Sequence, residues 1–345
     1  IMPSLVGSEM CIRDSAYVRK ARTLFPGVLT SLTVAFAAKF ISEHYGAPVM
    51  LMALLIGMSF NFLVEDGGSC VAGIEFSSKV LLRFGVALLG LGITVQQIAS
   101  TGSEVLLITL GGVALTITMG LTLSRILGRG ARFGLLIGGA VAICGASAAL
   151  AISSVLPKGE TLERDTIFTV IGVTALSTLA MILYPLIADI MHLSEVATGV
   201  FFGATIHDVA QVVGAGYSVS DLAGETATFV KLLRVALLVP IVVVLSLVFS
   251  GSRESGAKRS LPIPFFVIGF AALVIAGSYD FIPVPVKDGL LSFSRWCLVV
   301  AIAALGMKTS LRRLGDVGGG AIVLICALTG ILAIFALTAI KLYMS

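Results

Sequence analysis

The chain has 345 residues, 57% of them hydrophobic and only 12% charged, with a formal net charge of +4 and a mean hydropathy of +1.08. A soluble domain carries about 25% charged residues, so an ordinary water-soluble fold is excluded and most of the chain belongs in a bilayer. The positive residues are spread over short connections rather than one patch, which excludes nucleic acid as a partner. The five cysteines (Cys11, Cys70, Cys144, Cys297, Cys326) show neither a CxxC pair nor a metal-ligand spacing, so no disulfide framework, metal or cofactor is expected.

In chain order, residues 1–15 read as a non-native or disordered tail. The string Pro3-Ser-Leu-Val-Gly-Ser-Glu-Met-Cys-Ile-Arg-Asp14 resembles translated adaptor sequence. It lacks the basic start and long apolar run of a signal peptide. Residues 16–345 then form a single transmembrane domain. A helix needs about 20 mainly apolar residues to span the hydrocarbon core. About eleven segments qualify, at 24–41, 47–64, 74–95, 104–127, 133–157, 166–190, 195–217, 226–250, 261–281, 287–307 and 318–343. The expected fold class is an all-α polytopic membrane protein.

Loop charges set its orientation, because Lys and Arg collect on the cytoplasmic side. Arg13, Arg19, Lys20 and Arg22 precede the first span. Arg125, Arg129 and Arg132 follow the fourth, Arg253, Lys258 and Arg259 the eighth, and Lys308, Arg312 and Arg313 the tenth. With eleven spans all four groups share one side, which puts the N-terminus in the cytoplasm and the C-terminus outside. An internal echo runs from Arg83 to Thr94 and again from Arg295 to Lys308: an arginine, small and apolar residues, Leu-Gly, then a polar exit. The two copies would point in opposite directions, as in the inverted repeats of secondary transporters.

Two polar breaks interrupt the apolar spans. The first is Cys144-Gly145-Ala146-Ser147-Ala148-Ala149, preceded by Gly138-Gly139. Small residues there make either a tight helix-packing face or an unwound helix whose free amides and Ser147 hydroxyl face an anion. The second is Gly203-Ala-Thr205-Ile-His207-Asp208-Val-Ala-Gln211. Ionisable groups inside a span are costly and usually functional. His207 and Asp208 are therefore expected to handle a coupling proton or ion, with Gln211 one turn on.

Four cations, Arg83, Lys231, Arg234 and Arg295, fall inside or at the edge of spans. Lys231 and Arg234 share a helix face at i and i+3, and Glu75 with Lys79 reads as a helix-surface pair. Burying cations demands a negative partner, either an internal acid (Asp208, Glu75 or Glu225) or an anionic substrate. The arginine fork fits oxyanions. No HExxH, P-loop or Rossmann glycine pattern occurs, which argues against an ATP-driven pump. A rival reading takes Gly145-Ala-Ser147-Ala148 as the nucleophile loop of a rhomboid-like intramembrane serine protease with His207 as base. The number of spans and the Asp fused to the His do not match that family.

The strings Ile143-Cys-Gly-Ala-Ser-Ala148, Gly203-Ala-Thr-Ile-His-Asp-Val-Ala-Gln-Val-Val-Gly214 and Lys231-Leu-Leu-Arg-Val235 resemble the YeiH family of bacterial inner-membrane proteins, from about Phe25 to the C-terminus. Members of that family often carry Glu where this chain has Asp208. The resemblance implies export of sulfate or a related sulfur oxyanion. It also implies a distant similarity to transporters of the bile-acid and sodium–proton antiporter type, with inverted repeats and two crossed, broken helices. The expected function is a secondary transporter of a small anion such as sulfate or a sulfonate, coupled to protons or another ion, with a passive anion channel as the alternative. Cys144, Gly145, Ala146, Ser147, Thr205, Gln211, Arg83, Lys231, Arg234 and Arg295 are the expected substrate ligands. The expected partners are the small anion, the lipid bilayer and a second copy in a homodimer.

Overall fold

A computed structural model describes the backbone of residues 5–65, 67–96, 102–157, 161–249, 265–279, 282–309 and 319–344, with side chains from residue 21 onward. Within these residues the regular structure is helical. The helices are α1 (Leu5–Tyr45), α2 (Val49–Ser59), α3 (Phe62–Glu65), α4 (Val71–Phe76), α5 (Leu82–Leu89), α6 (Gly102–Ile126), α7 (Gly130–Ala142), α8 (Ala146–Val155), α9 (Leu162–Ile190), α10 (Glu195–Thr205), α11 (Val209–Val219), α12 (Asp221–Ala236), α13 (Leu238–Val248), α14 (Phe265–Ser278), α15 (Val284–Lys308) and α16 (Gly319–Tyr343). A π-helical turn, Ser77–Leu81, joins α4 to α5.

Among the described residues six stretches are long and apolar enough to cross a membrane unaided: Ala21–Tyr45, Gly102–Ile126, Leu162–Ile190, Asp221–Val248, Val284–Lys308 and Gly319–Tyr343. The remaining expected spans coincide with shorter or interrupted helices. The segment 133–157 is split into α7 and α8, and 195–217 into α10 and α11. The helical outside is apolar, with Phe36, Phe40, Leu107, Leu186, Ile190, Leu247, Ile268 and Ile334 all exposed. Such a surface suits lipid rather than water. The loop charges at residues 253–259 and 312–313, and the side chains of residues 1–20, lie outside the described residues.

The chain divides into two compact units, Ile1–Gly85 with Arg295–Thr309, and Val86–Ser294 with Ser310–Ser345. In the first unit glycines set the packing. A Cβ at Gly27 of α1 would collide with the backbone at Cys70, and one at Gly73 of α4 with the backbone at Leu24. Gly57 of α2 and Gly306 of α15 meet in the same way, through Ala303 and Leu54. Asn61 Nδ2 closes that seam by donating to the Met307 carbonyl at 2.7 Å. Close backbone approach of this kind is how helices associate where lipid is as apolar as the helix itself.

The second unit is built around α6, α7, α9, α10, α12 and α16. Helices α6 and α7 form a hairpin whose turn residues Gly128 and Gly130 have φ of 68° and 78°. Along the hairpin, Gly120 of α6 faces Gly134 and Gly138 of α7, with no room for a Cβ at Gly120 or Gly134. Leu136, Ile137, Val141, Ile152, Val173, Leu324, Ile325 and Leu328 form the core where α7, α8, α9 and α16 meet. Helix α12 packs on both α10 and α11. It gives way to α13 at Leu237, three residues before Pro240, whose missing N–H removes one bond of the ladder.

Candidate functional site

Both polar breaks are true interruptions of helix. Helix α7 stops at Ala142. The Ile143 N–H donates to Gly139 O at 3.1 Å and the Gly145 N–H reaches back to Ala140 O at 2.8 Å. Gly145 has φ 60° and ψ −121°, a conformation that a side chain strongly disfavours. The carbonyls of Val141, Ala142 and Ile143 are thereby left beyond the helix's own bonding pattern. At the second break, Ile206 and Asp208 are extended, with ψ of 138° and 147°, so α10 ends and α11 restarts. The breaks touch: a Cβ placed on Gly145 would lie 3.5 Å from the His207 Cβ.

Two cations from α12 hold the breaks together. Lys231 Nζ donates to Ile143 O at 2.7 Å, to Ile206 O at 2.9 Å and to His207 O. Three acceptors require three N–H donors, which only the ammonium form supplies. Arg234 donates from Nε to Ala142 O at 2.8 Å, from Nη2 to Val141 O at 2.7 Å, and from Nη1 to Gly203 O and Ile206 O at 3.0 and 3.2 Å. Both side chains are buried, 0% and 1% exposed. Their partners are thus neither acids nor lipid headgroups but the C-terminal ends of α7 and α10. Each such end carries about −0.5 of an elementary charge, which compensates cations that would otherwise be costly to bury.

The other side of the breaks is more open. Ser147, in the first turn of α8, is exposed, Ala146 and Asp208 are half-buried, and Cys144 and Gly145 are buried. Asp208 caps α11, its Oδ1 accepting from the Val209 N–H at 2.8 Å. Its own N–H donates to Ser177 Oγ of α9 at 3.0 Å. His207, 1% exposed, has Nε2 2.9 Å from Thr329 Oγ1 of α16. Gln211, fully buried, donates from Nε2 to Thr178 Oγ1 at 3.4 Å. The Thr205 hydroxyl turns back to Phe201 O within its own helix. The N-terminal ends of α8 and α11 bring about +0.5 each to this side. Helix ends of opposite sign cancel, and two cations against Asp208 leave the centre net positive.

The structure brings Cys144, Gly145, Ala146, Ser147, Thr205, His207, Asp208, Gln211, Lys231 and Arg234 to one pair of breaks and the helix beside it. Arg83 and Arg295, expected deep within their spans, are exposed and belong to the first unit. Lys79 pairs with Glu75 on an exposed helix surface. Sequence reasoning missed Ser177, Thr178 and Thr329. Each is one hydroxyl in a long apolar helix, a pattern too common to single out.

The breaks lie within the region matched by a known family model. The family described as Conserved hypothetical protein 698 matches residues 26–327. A UPF0324 membrane protein of Chlorobaculum tepidum is 55% identical over 315 residues, covering 91% of this chain and 88% of that one. One from Rhizobium meliloti is 54% identical over 318 residues, covering 91% and 92%. The UPF0324 membrane protein TauZ of Paracoccus denitrificans is 51% identical over 314 residues, covering 90% and 93%. With the match running through both breaks and the Lys231–Arg234 helix, in keeping with the YeiH resemblance of those same strings, the chain belongs to the UPF0324 membrane protein family, Conserved hypothetical protein 698.

Proposed function

We propose that this protein is a secondary transporter that moves a small anion, such as sulfate or a sulfonate, across the bacterial inner membrane. The observation that carries this reading is the meeting of two broken helices around Gly145 and His207, fastened by Lys231 and Arg234. Irregular backbone among apolar helices is tolerated only where it is buried in protein or lines a watery cavity. Transporters place such half-helix ends at their substrate sites. The net positive centre favours an anion. The N-terminus of α8, with the exposed Ser147 in its first turn, supplies donors for it.

On this reading Lys231 and Arg234 are fixed cations that shape the site from behind. Asp208, half-buried at the mouth of the break, handles the coupling proton or ion beside His207. Two broken helices that meet also fit the inverted-repeat architecture implied by the Arg83 and Arg295 echo. Against the protease reading, His207 Nε2 is engaged with Thr329 Oγ1.

The test is flux in proteoliposomes. Labelled sulfate and ethanesulfonate are presented with and without an imposed pH gradient. Uptake above the equilibrium level, driven by the gradient and saturable, is the expected result. Flux that only dissipates an anion gradient would make the protein a channel, and absence of any anion flux would overturn the reading.

A further inference from the structure

The continuous helix α9 serves as a ruler for both broken segments. Near its start, Asp165 Oδ1 accepts from Arg129 Nη2, just before α7, at 2.8 Å. Further along, a Cβ on Gly145 would lie 3.5 Å from Val173 Cγ2. Next, Ser177 Oγ accepts from the Asp208 N–H at 3.0 Å. Last, Tyr184 stacks on Phe201 of α10, with ring centroids 4.9 Å apart. The α7–α8 segment therefore lies along one half of α9 and the α10–α11 segment along the other. All these residues belong to the second unit.

Neither segment runs straight through. In one straight helix, residues 139 and 152 would be about 20 Å apart. Here a Cβ on Gly139 would collide with Ile152 Cδ1, and Phe133, Ile137, Ile152 and Leu156 share one core. Helix α8 thus folds back along α7 toward the Arg129 end, where α9 begins. The second segment does the same against α12. A Cβ on Gly199 would lie 2.8 Å from Ala223 O, and one on Gly216 2.7 Å from Gly224 Cα. In a straight helix those two glycines would be about 26 Å apart. At the turn between them, Ile206 O and His207 O accept from Lys231, further along α12.

The returning arms differ in exposure. Helix α11 is buried throughout from Val209 to Gly216, whereas α8 exposes Ser147, Leu150 and Ser154, which share one helix face. We infer that both broken segments are re-entrant hairpins that enter the membrane from opposite faces and meet tip to tip, and that the site at the tips is reached along α8 from the face bearing Arg125 and Arg129, while the α10–α11 hairpin closes the other face. The inference rests on the anion-transport reading above for what the route carries. Re-entrant backbone is tolerated at membrane depth where it is buried in protein or lines a watery cavity. The α10–α11 hairpin meets the first condition and the serine-bearing face of α8 the second. Two re-entrant segments remove two of the expected crossings, so the termini keep their expected sides.

The experiment is sided labelling of single introduced cysteines in the full-length protein. Right-side-out and inside-out membrane vesicles are treated with sulfonatoethyl methanethiosulfonate, a small anion that does not cross the bilayer. The parent's own cysteines set the background. Leu127→Cys, Glu163→Cys, Ser194→Cys and Val219→Cys all fall at exposed positions. Positions 127 and 163 are expected to react from one face, and 194 and 219 from the other. Straight crossings would instead place 127 opposite 163, and 194 opposite 219; either separation overturns the hairpins.

Ser147→Cys and Ser154→Cys are expected to react from the face of position 127 alone. Reaction from the opposite face, or from neither, overturns the route along α8. Should a variant fail to accumulate, Arg164→Cys and Glu195→Cys report on the same two connections from exposed positions. The labelling pattern is read without any flux, so its failure and the failure of anion transport are seen separately.

Discussion

At the scale of single residues, charge and hydrogen-bond capacity separate side chains that look alike in the sequence. Lys231 and Arg234 carry the same charge as Arg83 and Arg295, yet only the first pair is enclosed. Each of the enclosed pair is committed to backbone carbonyls. Leaving a buried acceptor without its donor costs about 1–3 kcal/mol, and Lys231 serves three of them. Lys231→Met and Arg234→Gln should therefore lower folding yield and thermal stability sharply. A variant melting within 2–3 °C of the parent would refute the capping role. Arg83→Gln and Arg295→Gln should change anion affinity less than about threefold, since both side chains lie on an exposed surface.

Asp208 belongs to the same scale. Its carboxylate caps α11, and asparagine caps a helix about as well. Asp208→Asn should fold normally, with a melting temperature near that of the parent. An ionised Asp208 places a negative charge where the anion must come. Removal of that charge in the asparagine variant should therefore raise anion affinity severalfold at neutral pH. Equal affinity in parent and variant would make Asp208 a cap and nothing more.

At the scale of helices, the breaks depend on a few backbone conformations. Gly145, at φ 60° and ψ −121°, has ordinary van der Waals space around it, the nearest neighbours of an added Cβ being 3.5 Å away. Its need for glycine is conformational and not steric. Gly145→Ala should cost about 1–3 kcal/mol through backbone strain and re-aim the first turn of α8, so that transport falls more than protein yield. Gly134 is the opposite case. A Cβ there would run into the backbone of α6 at Gly120, and Gly134→Leu should force the α6–α7 hairpin apart and prevent accumulation of folded protein. Comparing the two variants by detergent-resistant folding and by flux separates strain at the site from failure of the scaffold.

At the scale of the whole molecule, topology and the tail are open to direct measurement. Reporter fusions should show the N-terminus in the cytoplasm and the C-terminus after Tyr343 outside, as the arginine-rich connections direct. A cytoplasmic C-terminus would mean an even number of crossings. Removal of Ile1–Ser15 should leave yield, melting temperature and flux unchanged, because the segment offers no apolar run to pack. A drop in folded protein on its removal would show it to be a working part of α1.

Much of this protein was legible from its sequence because the bilayer acts on each segment separately. Apolar length alone places Gly102–Ile126 or Gly319–Tyr343 in a span, and glycine with polar residues inside a span marks a break wherever it occurs. Both breaks, and the cations on one face of α12, could therefore be read locally. What the cations do could not be. Lys231 reaches a carbonyl 88 residues away, and Arg234 one 93 residues away. Any carbonyl in the chain is an equally good acceptor until the fold brings two helix ends together. Likewise His207 meets Thr329, and Gln211 meets Thr178, across 122 and 33 residues of sequence. Hydropathy is a property of a segment and survives as sequence. Hydrogen-bond satisfaction is a property of neighbours, and only the tertiary structure decides who they are.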